Sequence, residues 1–255
     1  MSLKVVKIGG KLIENEQMLS EFISDFVSLK GPKILVHGGG NLATEIATKL
    51  GYETKMLEGR RITDENSMSV ITMVYGGLIN KKIVARLQSK NCNAVGLCGA
   101  DGMSVVSEKR PVKEIDFGFV GDIMDINKDF ISGLLQQGLT PVFSAISCSK
   151  KGELFNTNAD SVASEIAQAM SEYETELYYC FEKKGVLTDI DSEESIIREL
   201  DFKKYQELKE QGVIRDGMLP KLHNCFEALK KGVKNIYLGD SSLLKTDAVC
   251  TKITV

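Results

Sequence analysis

Val5-Val6-Lys7-Ile8-Gly9-Gly10, then a run of helical period from Gln17 to Leu29, then Ile34-Leu35-Val36-His37-Gly38-Gly39-Gly40: this stretch decides the fold. Short β-branched apolar runs that stop at glycine read as buried strands, and the segment between them is long enough to cross over a sheet. The alternation continues through Asn41 to Leu50, Ala94 to Leu97, Pro141 to Ile146 and Ala159 to Met170. Strand, helix, strand is the order of α/β proteins. Continuous rather than alternating apolarity says that the strands are largely parallel and covered on both faces.

Around Ser171 to Thr175 the chain turns polar and a second set begins, with a strand Leu177 to Phe181, a helix Ser192 to Gln211, a helix Lys221 to Lys231 and a strand Asn235 to Leu238. This change of character predicts two lobes of one continuous sheet, residues 1–172 and 173–255. The 255 residues are 43% hydrophobic and 26% charged, which excludes disorder and fibrous repeats. Lys+Arg 32 against Asp+Glu 35 gives a net charge of -3, so no overall basic field exists to hold a nucleic acid. No stretch approaches the ~18 apolar residues of a membrane span, and the start of the chain lacks the apolar core of a signal peptide, so a cytoplasmic location is expected. The six cysteines are scattered without a CxxC pair among only two histidines, which predicts reduced, mostly buried thiols and no zinc site.

Three glycine clusters lie where strands stop: Gly9-Gly10, Gly38-Gly39-Gly40, and Gly96 with Gly99. Glycine allows close backbone approach, and amides opening a following helix favour negative charge, so a phosphate or carboxylate ligand is expected. Nothing matches GxxxxGK[ST], which excludes a P-loop. Gly38-x-Gly40-x-x-Ala43 fits the loose dinucleotide pattern, with Glu58 where a ribose-binding acid could lie, leaving an NAD-type reading open. Charged residues in apolar or glycine-rich settings are the sharper clue, because an unpaired charge there is costly. Lys7 stands just before Ile8-Gly9-Gly10, Lys221 follows Gly217-Met218-Leu219-Pro220, and Asp160 falls in the first turn of a helix after Asn156-Thr157-Asn158-Ala159. They suggest two cations for a phosphoryl group and a carboxylate to aim them. His37 reads as a strand-end histidine satisfied by backbone groups, and Met68 and Met73 as core.

Those residues carry a resemblance. With Gly59-Arg60-Arg61-Ile62-Thr63-Asp64, Asn80-Lys81, Gly121-Asp122-Ile123 and Asp216-Gly217-Met218-Leu219-Pro220-Lys221, in this order from about Lys4 to about Gly232, the chain resembles the amino acid kinase superfamily and, within it, the N-acetylglutamate kinases. The resemblance implies a three-layer αβα sandwich around an open, mainly parallel eight-stranded sheet. It implies an N-terminal lobe for the acylated glutamate and dimerisation, and a C-terminal lobe for ATP. The reaction implied is transfer of the ATP γ-phosphoryl group to the side-chain carboxylate of N-acetyl-L-glutamate, in arginine biosynthesis. A glutamate-like carboxylate, with a reference pKa of ~4.3, is already an anionic nucleophile at neutral pH and needs no general base.

Carried over residue by residue, Lys7 and Lys221 would stabilise the transferring phosphoryl group and Asp160 would orient both ammonium groups. Amides around Gly10, Gly39 and Gly40 would bind oxygens, Arg61 would pair with the substrate α-carboxylate, Asn156 would hydrogen-bond the substrate, and Asn158 would hold the loop. The segment Met56 to Thr63 resembles the family's hairpin lid. On the nucleotide side the resemblance implies contacts from Gly9, Gly10, Glu182, Lys183, Gly185, Ile214, Arg215, Gly217 and Met218. Magnesium would ride on ATP, with no protein metal ligand. The chain departs from the family at Phe181-Glu182-Lys183-Lys184-Gly185, where Thr/Ser-Asp-Val-x-Gly is common: a carboxylate survives as Glu182, but the small hydroxyl has become Phe181. The family's arginine-inhibited hexamers carry a helix before the first strand; because Lys4 begins that strand, a homodimer without arginine feedback is expected. An acyl group larger than acetyl, such as succinyl, would bring a second carboxylate, which Arg60 or Lys11 could meet. Another acid-group kinase, or a non-catalytic regulator that binds the same metabolites, are the other readings.

Overall fold

In the computed structural model, which describes residues 2–57, 60–189, 191–214 and 218–254, strands and helices alternate as the apolar runs predict. In chain order they are β1 Lys4–Ile8, α1 Gly10–Glu14, α2 Glu16–Ser28, β2 Lys33–His37, α3 Gly40–Lys49, β3 Lys55–Leu57, β4 Arg60–Ile62 and α4 Glu65–Ile71. A π-helical stretch Thr72–Ile79 leads into α5 Asn80–Gln88, followed by β5 Ala94–Leu97, β6 Val105–Lys109, β7 Gly121–Ile126, α6 Lys128–Gln136, β8 Thr140–Ser144, β9 Ile146–Cys148 and β10 Leu154–Asn156. Then come α7 Ala159–Ala169, β11 Glu176–Cys180, β12 Glu199–Leu200, α8 Phe202–Glu210, α9 Met218–Lys230, β13 Asn235–Gly239 and β14 Thr251–Ile253.

Helix boundaries have local causes. The Asn15 side chain accepts the Met18 amide at 3.0 Å and so starts α2, whose Leu19, Phe22, Ile23 and Phe26 fall at helical spacing and are buried. Asp64 caps α4 through the Ser67 amide at 2.7 Å, and Asp201 caps α8 through the Lys204 amide at 2.7 Å.

The chain divides by its own contacts into one unit of Met1–Lys33 with Ala163–Val255 and another of Ile34–Val162. In this grouping the first strand and its helices go with the end of the chain. The principal sheet has eight strands. Its part in the first unit runs β12-β14-β13-β11-β1, and its part in the second runs β2-β8-β5. Pairing is parallel from β1 through β11 to β13, with Lys7 opposite Tyr179 and Tyr179 opposite Leu238; β14 joins β13 antiparallel. The class is therefore α/β with a mixed, mainly parallel sheet. The second unit adds a four-stranded sheet, β10-β9-β6-β7, and the β3–β4 hairpin, in which Met56 faces Arg61. Its pairings are short, and only the hairpin had a signal in the sequence.

Three expectations need correction. Residues 192–200 are not helical: the Ser195 hydroxyl bonds the carbonyls of Asp189 and Ser192, Leu187 bridges Ile196, and the helix begins only after Asp201. Such hydroxyl bonds offer the backbone an alternative to helix. The strand expected over Pro141 to Ile146 breaks at Ala145 into β8 and β9. Met68 is buried but Met73 is 55% exposed, since five residues is not a same-face spacing on a helix. Among the described residues no helix is long and apolar enough to cross a membrane.

Candidate active site

In the first unit, the ends of β1 and β11 lie side by side. The Gly9 amide donates to the Cys180 carbonyl at 2.8 Å, and a side chain at Gly9 would press on that carbonyl at 3.1 Å, so glycine is what lets the two chain segments touch. Gly10 then opens α1. Lys7, half-buried between buried Val6 and Ile8, is the register partner of Tyr179, and paired residues of parallel strands face the same side. Lys221, in the first turn of α9, holds its Nζ 4.8 Å from the centre of that same Tyr179 ring and 5.9 Å from the Phe181 ring. Lys7 and Lys221, 214 positions apart in the chain, are thus both neighbours of one aromatic side chain beside the glycine turn.

Glu182 accepts a hydrogen bond from Lys11 Nζ at 2.7 Å. Burial works to raise the Glu182 carboxyl, but the Lys11 bond, its own backbone amide and the charges of Lys11 and Lys7 outweigh it and hold the group below the usual carboxylate range. Lys11 is therefore engaged by the loop after β11. Lys184 pairs with Glu193 at 3.5 Å, and Lys183 is half-buried. Gly185 has a packing reason of its own: a Cβ there would lie 2.4 Å from the Thr251 hydroxyl, which joins the Val186 amide to the Ile197 carbonyl. Ile214 is buried, with its amide on the Leu208 carbonyl, and Met218 is the first residue of α9. Arg215, Gly217 and Glu58 lie outside the described residues.

In the second unit, the turn after β2 is built around Gly39. Its φ is 154°, strained for any other residue, and a Cβ would fall 2.2 Å from Ile79 Cδ1, so a side chain there must displace the end of Ile79. Gly40 opens α3, and its carbonyl accepts Arg61 Nη2 at 2.8 Å. Arg61, only 9% exposed on β4, also donates to Thr44 Oγ1 at 2.7 Å and to Thr54 Oγ1 at 3.1 Å. The fork is locked onto the helix that starts at the glycine turn. Tyr75, whose hydroxyl burial pushes up against the opposing influence of Arg61, closes the other side of Gly39 at 3.2 Å from the position of a Cβ. Thr44, Thr54 and Tyr75 had no signal in the sequence beyond ordinary helix and loop chemistry.

Asn156 Nδ2 donates to Thr63 Oγ1 at 3.0 Å, tying β10 to the residue after the hairpin. Asn158 Oδ1 accepts the amides of Asp160 and Ser161 at 2.8 and 3.2 Å, capping α7 and placing Asp160 in its first turn. Asp160 belongs to the second unit, whereas Lys7 and Lys221 belong to the first.

His37 is fully buried. Its Nδ1 bonds the Gly38 carbonyl at 2.9 Å, and Asn80 Nδ2 donates to its Nε2 at 3.1 Å while also reaching the Val142 carbonyl at 2.9 Å. Burial, and less strongly Lys81, lower its pKa to about 4 against the opposing Gly38 bond, so it is a neutral imidazole at physiological pH. The backbone satisfies one ring nitrogen, as expected, and a side chain the other. All six cysteines are free thiols, four of them buried. Among the described residues no group of three or more His, Cys, Asp or Glu could hold a metal ion.

The amino acid kinase family model matches residues 2–240. An acetylglutamate kinase of Parabacteroides distasonis is 48% identical over 241 residues, covering 94% of each chain, and one of Cytophaga hutchinsonii is 50% identical over 238 residues, covering 92% of this chain and 90% of that one. A solved N-acetylglutamate synthase from Neisseria gonorrhoeae, complexed with coenzyme A and N-acetyl-glutamate, superposes with a TM-score of 0.84 at 19% identity, over all of this chain and 59% of that one. At that identity the likeness is one of fold.

Proposed function

The chain belongs to the acetylglutamate kinases of the amino acid kinase family, and from that premise we propose how its own residues move a phosphoryl group from ATP to an acylglutamate. It is an ATP-dependent kinase with an acylglutamate-type acceptor. A side-chain carboxylate oxygen attacks the γ-phosphorus, the bond from that phosphorus to the bridging oxygen of ADP breaks, and ADP leaves with the electron pair. No proton has to move, so the protein's work is alignment and charge neutralisation.

Lys7 and Lys221 stabilise the charge on the transferring group, and Asp160 orients them. The amide of Gly10 receives phosphate oxygens at the start of α1, while Gly9, whose own amide is held by the Cys180 carbonyl, borders the nucleotide and lets the two strand ends touch. Arg61 keeps part of its donor fork for the α-carboxylate while Gly40, Thr44 and Thr54 hold it in place. Gly39 and Gly40 meet acceptor oxygens, and Asn156 hydrogen-bonds the acceptor from the end of β10, two residues before the Asn158 that caps α7. Glu182, Lys183, Gly185, Ile214, Arg215, Gly217 and Met218 border the nucleotide. Magnesium would enter with ATP as part of the substrate and would supply charge neutralisation on its phosphates, with no ligand from this chain. The observation that carries this reading is the placement of Lys7 and Lys221 about Tyr179, beside the Gly9-Gly10 turn.

N-Acetyl-L-glutamate is the proposed acceptor. ADP release with MgATP and, separately, N-acetyl-L-glutamate, N-succinyl-L-glutamate, glutamate and aspartate, with hydroxylamine to trap any acyl phosphate, tests it. A hydroxamate from the acetyl compound alone is expected; one from the succinyl compound alone would reassign the acceptor. The active form is proposed to be a homodimer made through residues 34–162, supported by Met73 and Leu78, 55% and 51% exposed on the π-helical stretch beside open space at Gly77. Light scattering showing a monomer at micromolar concentration would count against it.

A further inference from the structure

We propose that Tyr179 and Phe181 form an aromatic seat for the Lys221 ammonium, which makes Phe181 a positioning residue for phosphoryl transfer. The proposal deepens the kinase reading and rests on the role given there to Lys221. Its ground is geometric: Lys221 Nζ lies 4.8 Å from one ring centre and 5.9 Å from the other, both within the distance at which a ring's negative face attracts a cation.

The two rings arrive by different routes. Tyr179 is a fully buried core residue of β11, held from both sides by its register partners Lys7 and Leu238. Phe181 follows the last residue of that strand, and its amide donates to the Gly239 carbonyl at 2.9 Å, which fixes the backbone carrying the ring. Lys221 reaches them from the first turn of α9, the end of a helix whose dipole disfavours a cation. A long lysine side chain in that position has rotamers to choose among, and the two ring faces select the one that lies over β11. The seat therefore places the ammonium beside the strand pair that carries Lys7 and restricts its motion. Restricting a transition-state cation in this way raises kcat without adding affinity for the acceptor.

The test uses the full chain, with kcat and KM for the acylglutamate, and a second readout that needs no turnover: the rate at which acetic anhydride acetylates Lys221, read by peptide mass spectrometry against the exposed lysines. Phe181→Leu keeps an apolar side chain and removes the ring. It should lower kcat about two- to fivefold with KM unchanged, and should speed acetylation of Lys221, because the ring favours the ammonium over the reactive amine. Phe181→Tyr and Phe181→Trp restore both values. Tyr179→Leu should lower kcat further, up to about thirtyfold, while Tyr179→Phe does not; if Tyr179→Leu fails to fold, the Phe181 series decides alone. Parent-like kcat and acetylation in Phe181→Leu, or a loss in Phe181→Tyr equal to that in Phe181→Leu, would overturn the seat. Lys221→Ala is the control: if it retains full kcat, the role of Lys221 in the kinase reading falls, and the acetylation rates by themselves decide the seat.

Discussion

Lowering the pH from 7.5 to 5.5 should destabilise this protein through His37 before its carboxylates enter their titration range. The neutral ring donates from Nδ1 to the Gly38 carbonyl and accepts from Asn80 at Nε2. Protonation would set two donors against each other there, inside the core. The gap between 6.5 and about 4, at about 1.36 kcal/mol per pH unit, puts the full penalty at roughly 3 kcal/mol. Because the folded-state pKa of a base is depressed, the stability is complete above 6.5, is lost as pH falls from 6.5 towards 4, and levels off below. At pH 5.5 about 1 kcal/mol is gone. Urea unfolding at pH 7.5 and 5.5 reads this directly, and His37→Gln, which cannot titrate, should lose that part of the difference. With only two histidines in the chain, NMR of the ring nitrogens can follow His37 by itself. A His37 ring that titrates with a midpoint near 6.5, or that carries its proton on Nε2, would refute the reasoning; so would an unchanged pH difference in His37→Gln.

Other outcomes follow from the same geometry. Lys221→Ala should lower kcat about 10²–10³-fold, the scale for removing a preorganised charge at a transition state, and a near-normal kcat in steady-state assays would dismiss its role. Arg61→Ala should raise KM for the acylglutamate roughly ten- to a hundredfold with less change in kcat, and Arg61→Lys should do nearly as badly, since an ammonium cannot reproduce the fork that reaches Gly40, Thr44 and Thr54. An unchanged KM in both would remove Arg61 from the acceptor site. Gly39→Ala should cost about 1–3 kcal/mol in urea unfolding and raise KM, because its Cβ must displace Ile79; parent-like stability would show that the turn has room.

Much of the fold was legible because its signals are local. Buried parallel strands need no partner pattern to announce themselves: Val5-Val6-Lys7-Ile8 and Ile34-Leu35-Val36 are apolar on both faces and stop at glycine, and β1 and β2 fall on them. The strands of the four-stranded sheet were not legible. Val105–Lys109 and Gly121–Ile126 are half-exposed and irregular, with a register shift at Val106 and Ser107, and the other neighbour of β6 is β9, far along the chain, where Val106 pairs with Cys148. Ser192 to Gln211 misled for a related reason, since its helical composition is overridden up to Leu200 by bridges to Leu187 and Thr251.

The candidate site divides in the same way. Residue type and position along the chain were enough to single out Lys7, Asp160 and Lys221, because a charge among glycines or apolar residues is costly unless it has work to do. They were also enough to mark Gly38-Gly39-Gly40 as a turn at a strand end, in which Gly39 is the position where a side chain would be strained. What surrounds those residues depends on tertiary structure. That Tyr179 is the register partner of Lys7 and lies under Lys221, that Lys11 is engaged by Glu182, and that Arg61 is locked to Gly40 through Thr44 and Thr54 are contacts between segments with no sequence relation. Sequence by itself determined the family, the buried parallel strands with the helices between them, and which charged residues to single out, since those follow from periodicity, glycine and the cost of burying charge. Only the fold decided which neighbours hold each charge in place, because that is set by strand order and register, and neither is written in any one segment.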